Sequence, residues 1–281
     1  MFNSTDIKII DCPRDAIQGR SEFISTNKKI AHINNLIKSN LFEYIDFGSF
    51  VSPSVVPQMK DTVEVLKGIN KINDTKLLAI VPNQKGAIQA KNLVEIDYLG
   101  FPFSISETFQ LRNTNSTIVD SFQNVKDILD ILAGNNQELV IYLSMAFGNP
   151  YGDIWNEEIV LNWINKFRDL GIKKISIADT IGISQVSGIN SLFKKLKKEF
   201  PKLDFSIHLH SKSLDSLDKI QTAYESGCRR FEGAFLGYGG CPFAQDDLIG
   251  NIPTEDLLKQ FEKSSTIDIN KLKISFFDMI S

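Results

Sequence analysis

Eight short apolar runs alternate with longer segments of helical period along this chain, and that alternation constrains its fold more than any other feature. The runs are Ile7–Ile10, Tyr44–Phe47, Leu77–Val81, Val94–Tyr98, Leu139–Ser144, Lys174–Ala178, Phe205–His210 and Arg229–Phe235. Helical patterns cover Lys28–Ser39, Val63–Asn70, Lys85–Lys91, Ile118–Ala133, Glu157–Leu170, Gln185–Phe200, Leu214–Ser226 and Thr254–Lys263. Successive strands joined through helices run parallel with right-handed crossovers. Eight such units predict an α/β fold, a closed (β/α)8 TIM barrel with a short C-terminal helical extension. A doubly wound open sheet is the alternative, but no Gly-rich phosphate fingerprint follows the first strand. Gly171 and Gly227 stand where left-handed caps end helices, and Thr254-Glu255-Asp256 reads as a helix start.

At 281 residues the chain fits one barrel domain, and no Pro/Gly/Ser-rich linker divides it, so residues 1–281 are expected to form a single domain. Acids outnumber bases by 34 to 31, which leaves no global positive field to attract nucleic acid. The basic run Phe193–Lys198 has its apolar residues at helical spacing and reads as a solvated helix face. Three cysteines without a CxxC pair argue against a disulfide framework and fit a reducing compartment. No basic-then-apolar leader opens the sequence, and no apolar run is long enough to span a bilayer. A cytoplasmic protein without membrane contact is expected.

The active sites of such barrels lie at the C-terminal ends of the strands. The unusual polar residues collect there: Asp15 after strand one, Asp46 and Ser49 ending strand two, and Asn83 after strand three. Tyr142 and Ser144 close strand five, Asp179-Thr180 follows strand six, and His208-Leu209-His210 ends strand seven. Asn251 and a Gly-rich loop with Cys241 follow strand eight.

Residues two apart on a strand share a face, so His208 and His210, two of only three histidines, project together. The plain alternative is a hydrogen-bonded pair of core histidines. With the oxygens of Asp15 and Asn251, the set suits octahedral Mg²⁺ or Mn²⁺ better than a closed tetrahedral zinc site. Arg14 beside Asp15 reads equally as a surface ion pair, and Asp46 and Asp179 as helix caps. Leu236-Gly237-Tyr238-Gly239-Gly240-Cys241-Pro242 is either a loop over a small buried thiol or a gate that delivers a thiol as acid or base.

Several strings carry a family resemblance: Pro13-Arg14-Asp15 with Gln18, Ser49-Phe50-Val51-Ser52-Pro53, Asp179-Thr180-Ile181-Gly182, His208-x-His210, Gly239-Gly240-Cys241-Pro242 and Gly250-Asn251. On these the chain resembles the 3-hydroxy-3-methylglutaryl-CoA lyases over almost its whole length. The resemblance implies metal-dependent retro-Claisen cleavage of a 3-hydroxyacyl-CoA thioester to acetyl-CoA and acetoacetate, a homodimer and a place in leucine degradation. It implies Asp15, His208, His210 and Asn251 as metal ligands and Arg14 as the cation that stabilises enolate charge. It implies Cys241 as the proton-transferring loop cysteine, Asp46 at the position of a catalytic glutamate, and Asp179 near the substrate. Three acids depart from the family pattern. Asp46 is one methylene short, Ile10 replaces a glutamate, and Ser211 replaces an aspartate, which removes a carboxylate that could orient a histidine. These changes keep two alternatives in view: a related Claisen synthase or aldolase, and a metal-holding barrel that has lost catalysis and serves as a binding protein.

Overall fold

A computed structural model describes residues 6–211, 215–240, 249–263 and 269–281 of the protein. Eight parallel strands close into a barrel in sequence order. They are β1 (Lys8–Asp11), β2 (Tyr44–Ser49), β3 (Lys76–Ile80), β4 (Tyr98–Ser104), β5 (Glu138–Ser144), β6 (Lys174–Asp179), β7 (Asp204–Leu209) and β8 (Arg230–Gly233). Closure comes from β8 pairing with β1, Ile10 opposite Glu232 and Asp11 opposite Gly233.

Around the sheet run α2 (Thr26–Ser39), α3 (Thr62–Lys67), α4 (Gln84–Ala90), α6 (Ile118–Leu132), α7 (Glu157–Asp169), α8 (Val186–Glu199), α9 (Ser216–Glu225) and α10 (Thr254–Gln260). Two short helices, α1 (Pro13–Ile17) and α5 (Glu107–Thr114), sit at the mouth, and α11 (Ile269–Ile280) packs on α2 as the expected C-terminal extension. Gly171 and Gly227 adopt φ of +84° and +101°, the left-handed caps that the spacing predicts. The helix expected from Leu214 begins, within the described residues, at Ser216.

The period-two alternation of the strands separates two cores. Ile9, Ile45, Leu77, Ile141, Ile207 and Leu209 face the helices, whereas Ile10, Tyr44, Leu78, Val140 and Tyr142 fill the barrel. The lower interior is thereby closed, and the chemistry is confined to the upper mouth.

The fourth strand differs from the expected Val94–Tyr98. Val94 is 86% exposed, and the strand begins where that run ends. Gly100 and Pro102 read as strand breakers, yet each has a structural reason to be there. A Cβ at Gly100 would lie 2.6 Å from Ile80 Cδ1 and 2.9 Å from Tyr142 Cε2, so the crowded interior admits only glycine. Gly100 O accepts from Val81 N–H, so residues of its parity present their peptide groups to β3. Pro102 shares that parity two residues beyond the last β3 pair, Ile80–Gly100, where no ladder bond is lost.

At the seam where β8 meets β1, Thr254 Oγ1 donates to Asp11 Oδ1 at 2.5 Å, while Asp11 Oδ2 is buried without a partner among the described residues. Burial pushes the Asp11 carboxyl up to about 8, with Glu255 and Asp46 adding to the effect and Thr254 opposing it. A carboxyl raised in the fold withholds stability as pH climbs from its unfolded value through 8. Asp11→Asn should match the parent in unfolding free energy, measured in urea, near pH 4 and exceed it by about 2 kcal/mol or more at pH 9. Equal stabilities at pH 9 would refute the assignment.

Candidate metal centre

Pro13 opens α1 immediately after β1, and the helix buries all five of its residues, turning Arg14 and Asp15 into the mouth. The surface-ion-pair reading of these residues is thereby corrected: they are 8% and 6% exposed. Arg14 Nε donates to both Asp46 carboxylate oxygens at 3.2 and 3.0 Å, and Nη2 to Oδ2 at 2.5 Å. Nη1 reaches Asp15 Oδ1 at 3.3 Å and Gln18 Oε1 at 3.0 Å. Asp15 Oδ1 also accepts from Gln18 Nε2 at 2.7 Å, and Oδ2 from Asn251 Nδ2 at 2.6 Å. Asp46 therefore binds Arg14 and caps no helix among the described residues.

The histidines enter from β7. After β8 the chain returns against that strand's end, pairing Asn251 with His210 as an isolated antiparallel bridge. His210 Nδ1 lies 2.8 Å from Thr180 O, and His208 Nδ1 lies 3.0 Å from Glu232 Oε2. Both partners only accept, so both Nδ1 atoms carry hydrogen and the two Nε2 atoms are the free ends. Those Nε2 atoms stand 3.3 Å apart. Two lone pairs cannot face each other there without a proton or cation between them.

Ligand atoms of Asp15, His208 and His210 all lie within 4.8 Å of one another, and the buried Asn251 Oδ1 has no partner among the described residues. A fixed anion, two imidazole nitrogens and an orphaned amide oxygen fit a hard divalent cation. A second group, Cys12, His208 and Glu232, is as compact but already closed. Burial and the neighbouring acids push the Cys12 thiol well above its ordinary range, and Glu232 is taken up by Ser176 and Ser206.

Burial would depress His208, but the hydrogen bond and charge of Glu232, with Asp15, leave it raised. His210, buried beside His208, is lowered. Burial opposes ionisation of Asp15, yet Arg14, His208, His210 and Asn251 together hold it below the usual carboxylate value. Burial pushes Asp46 up to about 6, Arg14 limiting the rise and Asp15 and Glu232 adding to it.

Arg14, Asp15, Gln18, His208 and His210 line one side of a cavity of about 140 Å³ at the C-terminal ends of the strands, whereas Asp46, fully buried and clamped by Arg14, is not among the lining residues. Val51, Val55, Val56 and Met59 from the β2 loop, with Pro82 and Phe109, form an apolar wall opposite. Tyr142 and Ser144 also line it, and the Tyr142 hydroxyl is buried without a partner among the described residues. Asp153 ties one side of the rim together by accepting from Ser106 Oγ, Thr108 N and Thr108 Oγ1 at 2.5–3.0 Å.

Asp179 is not among the cavity-lining residues; its oxygens accept from the backbone N–H groups of Ile183 and Ser184 at 3.0 and 2.9 Å. The helix-cap reading of Asp179 is thereby corrected: it ties down the loop before α8, whose N-cap is Gln185, and its neighbours Ala178 and Thr180 face the cavity. Cys241 lies outside the described residues. Gly239, two positions earlier, passes close against Asp15 and Asn251: an added Cβ would lie 2.7 Å from Asp15 O and 2.8 Å from Asn251 Nδ2.

The carboxylate missing at Ser211 has a counterpart in Glu232, which holds His208 Nδ1 and which sequence reasoning missed. The signal was present, since an acid inside the β8 run, with serines at Ser176 and Ser206 on neighbouring strands, is unusual for a barrel interior.

Comparison with known proteins agrees with this geometry. The HMGL-like family model matches residues 6–275. The hydroxymethylglutaryl-CoA lyase YngG of Bacillus subtilis is 32% identical over 265 residues, covering 92% of this chain and 87% of the relative. The human mitochondrial hydroxymethylglutaryl-CoA lyase is 34% identical over 259 residues, covering 91% and 78%. An HMG-CoA lyase from Acinetobacter baumannii, solved with coenzyme A and 3-methylmalate, superposes with a TM-score of 0.88 at 32% identity, covering 98% of this chain and 90% of that one. No described helix is long and apolar enough to cross a membrane. By the family match and by relatives this similar over most of its length, the chain belongs to the HMGL-like family of lyases.

Proposed function

We propose that this protein cleaves 3-hydroxy-3-methylglutaryl-CoA, or a close 3-hydroxyacyl-CoA thioester, to acetyl-CoA and acetoacetate. The observation that carries the reading is the convergence of Asp15, His208 and His210 on one point beside the orphaned Asn251 oxygen, at the mouth of a cavity with an apolar wall. Those four residues would hold Mg²⁺ or Mn²⁺. Bound there, such an ion supplies Lewis acidity that makes a tertiary hydroxyl easier to deprotonate and fixes its orientation.

The chain's own residues do the rest. Asp46, with its carboxyl near 6, is ionised at neutral pH yet basic enough to take the hydroxyl proton. Arg14, immobilised by Asp46, Asp15 and Gln18, presents fixed positive charge where the thioester carbonyl gathers enolate charge. The Tyr142 hydroxyl, which has no partner among the described residues, would donate to substrate oxygen. Asp179 shapes the β6 loop so that Thr180 can hold His210. Cys241 is assigned the proton that completes acetyl-CoA at the former enolate carbon. We place the protein in the cytoplasm as a homodimer of single-domain chains, in the setting of leucine breakdown.

The test is a coupled assay for acetyl-CoA release from 3-hydroxy-3-methylglutaryl-CoA with Mg²⁺ or Mn²⁺. Metal-dependent turnover supports the reading; protein that binds metal without turnover supports a non-catalytic binding barrel. Cys241→Ser should keep its metal affinity and lose about 100-fold or more in kcat, the range of a lost general acid. Unchanged kcat would remove Cys241 from the mechanism.

A further inference from the structure

We propose that Glu232 is the positioning residue that fixes which nitrogen of His208 faces the metal centre; the inference rests on the metal-dependent reading above. Glu232 lies on β8, opposite Ile10 of β1 and His208 of β7, and is 2% exposed. Its Oε1 accepts from Ser176 Oγ at 2.6 Å and Ser206 Oγ at 2.5 Å, and its Oε2 from His208 Nδ1–H at 3.0 Å. Three donors from two neighbouring strands fix the plane of the carboxylate.

A buried acid of this kind is costly for folding. The interior around it is apolar, with Ile10, Tyr44, Leu78 and Val140, and a hydrophobic residue of similar volume would suit that core better. The acid's geometry points to what it supplies instead. A carboxylate can only accept from His208 Nδ1, so hydrogen is held on that nitrogen and the Nε2 lone pair is left directed toward His210 and Asp15. Without the acid the imidazole is free to carry hydrogen on Nε2 or to turn, and either blocks ligation. His210 is fixed in the same way by Thr180 O, so each imidazole has its own anchor on the side away from the centre.

The experiment compares wild type, Glu232→Gln and Ser206→Ala. Mn²⁺ affinity is measured by electron paramagnetic resonance of the free ion, the His208 tautomer by ¹⁵N shifts of the metal-free protein, and apo stability by urea unfolding. We expect Glu232→Gln to bind Mn²⁺ about 10- to 100-fold more weakly and to lose the pure Nδ1–H signature of His208. Its apo unfolding midpoint should hold or rise. Ser206→Ala keeps the charge but loosens the carboxylate, and should lose affinity by a smaller factor; it decides the matter if the glutamine variant does not fold. Affinity within threefold of wild type in both variants, with the tautomer unchanged, overturns the inference, as does affinity loss that merely tracks lost stability. Wild-type protein that takes up no Mn²⁺ overturns the metal-dependent reading itself, and this inference with it.

Discussion

Arg14→Lys should fold and carry a positive charge at the mouth, yet turn over about 100- to 1,000-fold more slowly than the parent. The guanidinium is a planar fork. Nε and Nη2 clamp Asp46, while Nη1 bridges Asp15 and Gln18, so one side chain fixes the candidate base and a metal-binding acid together. A lysine ammonium is a single point on a flexible stem and cannot serve both carboxylates at these separations. Charge that moves by an ångström no longer sits where the enolate develops. A second consequence concerns pH. Arg14 restrains the rise of the Asp46 carboxyl, so a looser partner lets burial, Asp15 and Glu232 push it above about 6. The acidic limb of the kcat profile should therefore move to higher pH. A variant within tenfold of wild type, with that limb unmoved, would sink the role given to Arg14.

Gly239→Ala should weaken Mn²⁺ binding by about 10- to 100-fold, as much as a lost outer hydrogen bond to a metal ligand. Gly239 has φ of +98°, a region strained for any residue with a Cβ. The added carbon would also meet backbone, Asp15 O at 2.7 Å and Ala16 Cα at 2.9 Å, as well as the Asn251 amide at 2.8 Å. The two backbone atoms cannot swing aside, and the Asn251 amide can do so only by turning away from Asp15, so α1 or Asn251 must shift, and the 2.6 Å bond between Asn251 and Asp15 goes with it. Gly134→Ala is the control. Its φ of +83° is as unfavourable, but nothing lies within 4 Å. It should lose about 1 kcal/mol of stability and no metal affinity. Equal affinity losses in the two variants would show that backbone strain, not contact with the centre, is responsible.

What the sequence made legible follows from periodicity. The alternation of short runs and helices gave the number of strands and located seven of the eight, and the two-residue spacing put His208 and His210 on one face. Strand β4 was misjudged because Gly100 and Pro102 have reasons visible only in three dimensions, a crowded interior and a neighbour strand that has already ended. The helices α1 and α5 are too short for periodicity to register. Asp15 and Asn251 could be gathered into the site because strand ends share one rim. The tie of Arg14 to Asp46 could not, since it depends on α1 turning its polar residues inward. Glu232 was hidden by arithmetic of another kind: its partners are 24, 26 and 56 residues away.

The bond between Asp15 and Asn251 joins positions 236 residues apart, and it lies beside the seam where β8 meets β1. Contacts of such separation form late, because long loops must close before they are rewarded. A ribosome-bound chain that has emerged only through α9 thus owns both histidines and the first acid, but no eighth strand to close the ring and no Asn251. High-affinity capture of the cation must wait for ring closure. On the proposed metal-dependent reading a bound cation would then act as a latch, because an ion that binds only the closed form adds its free energy of binding to the stability of that form.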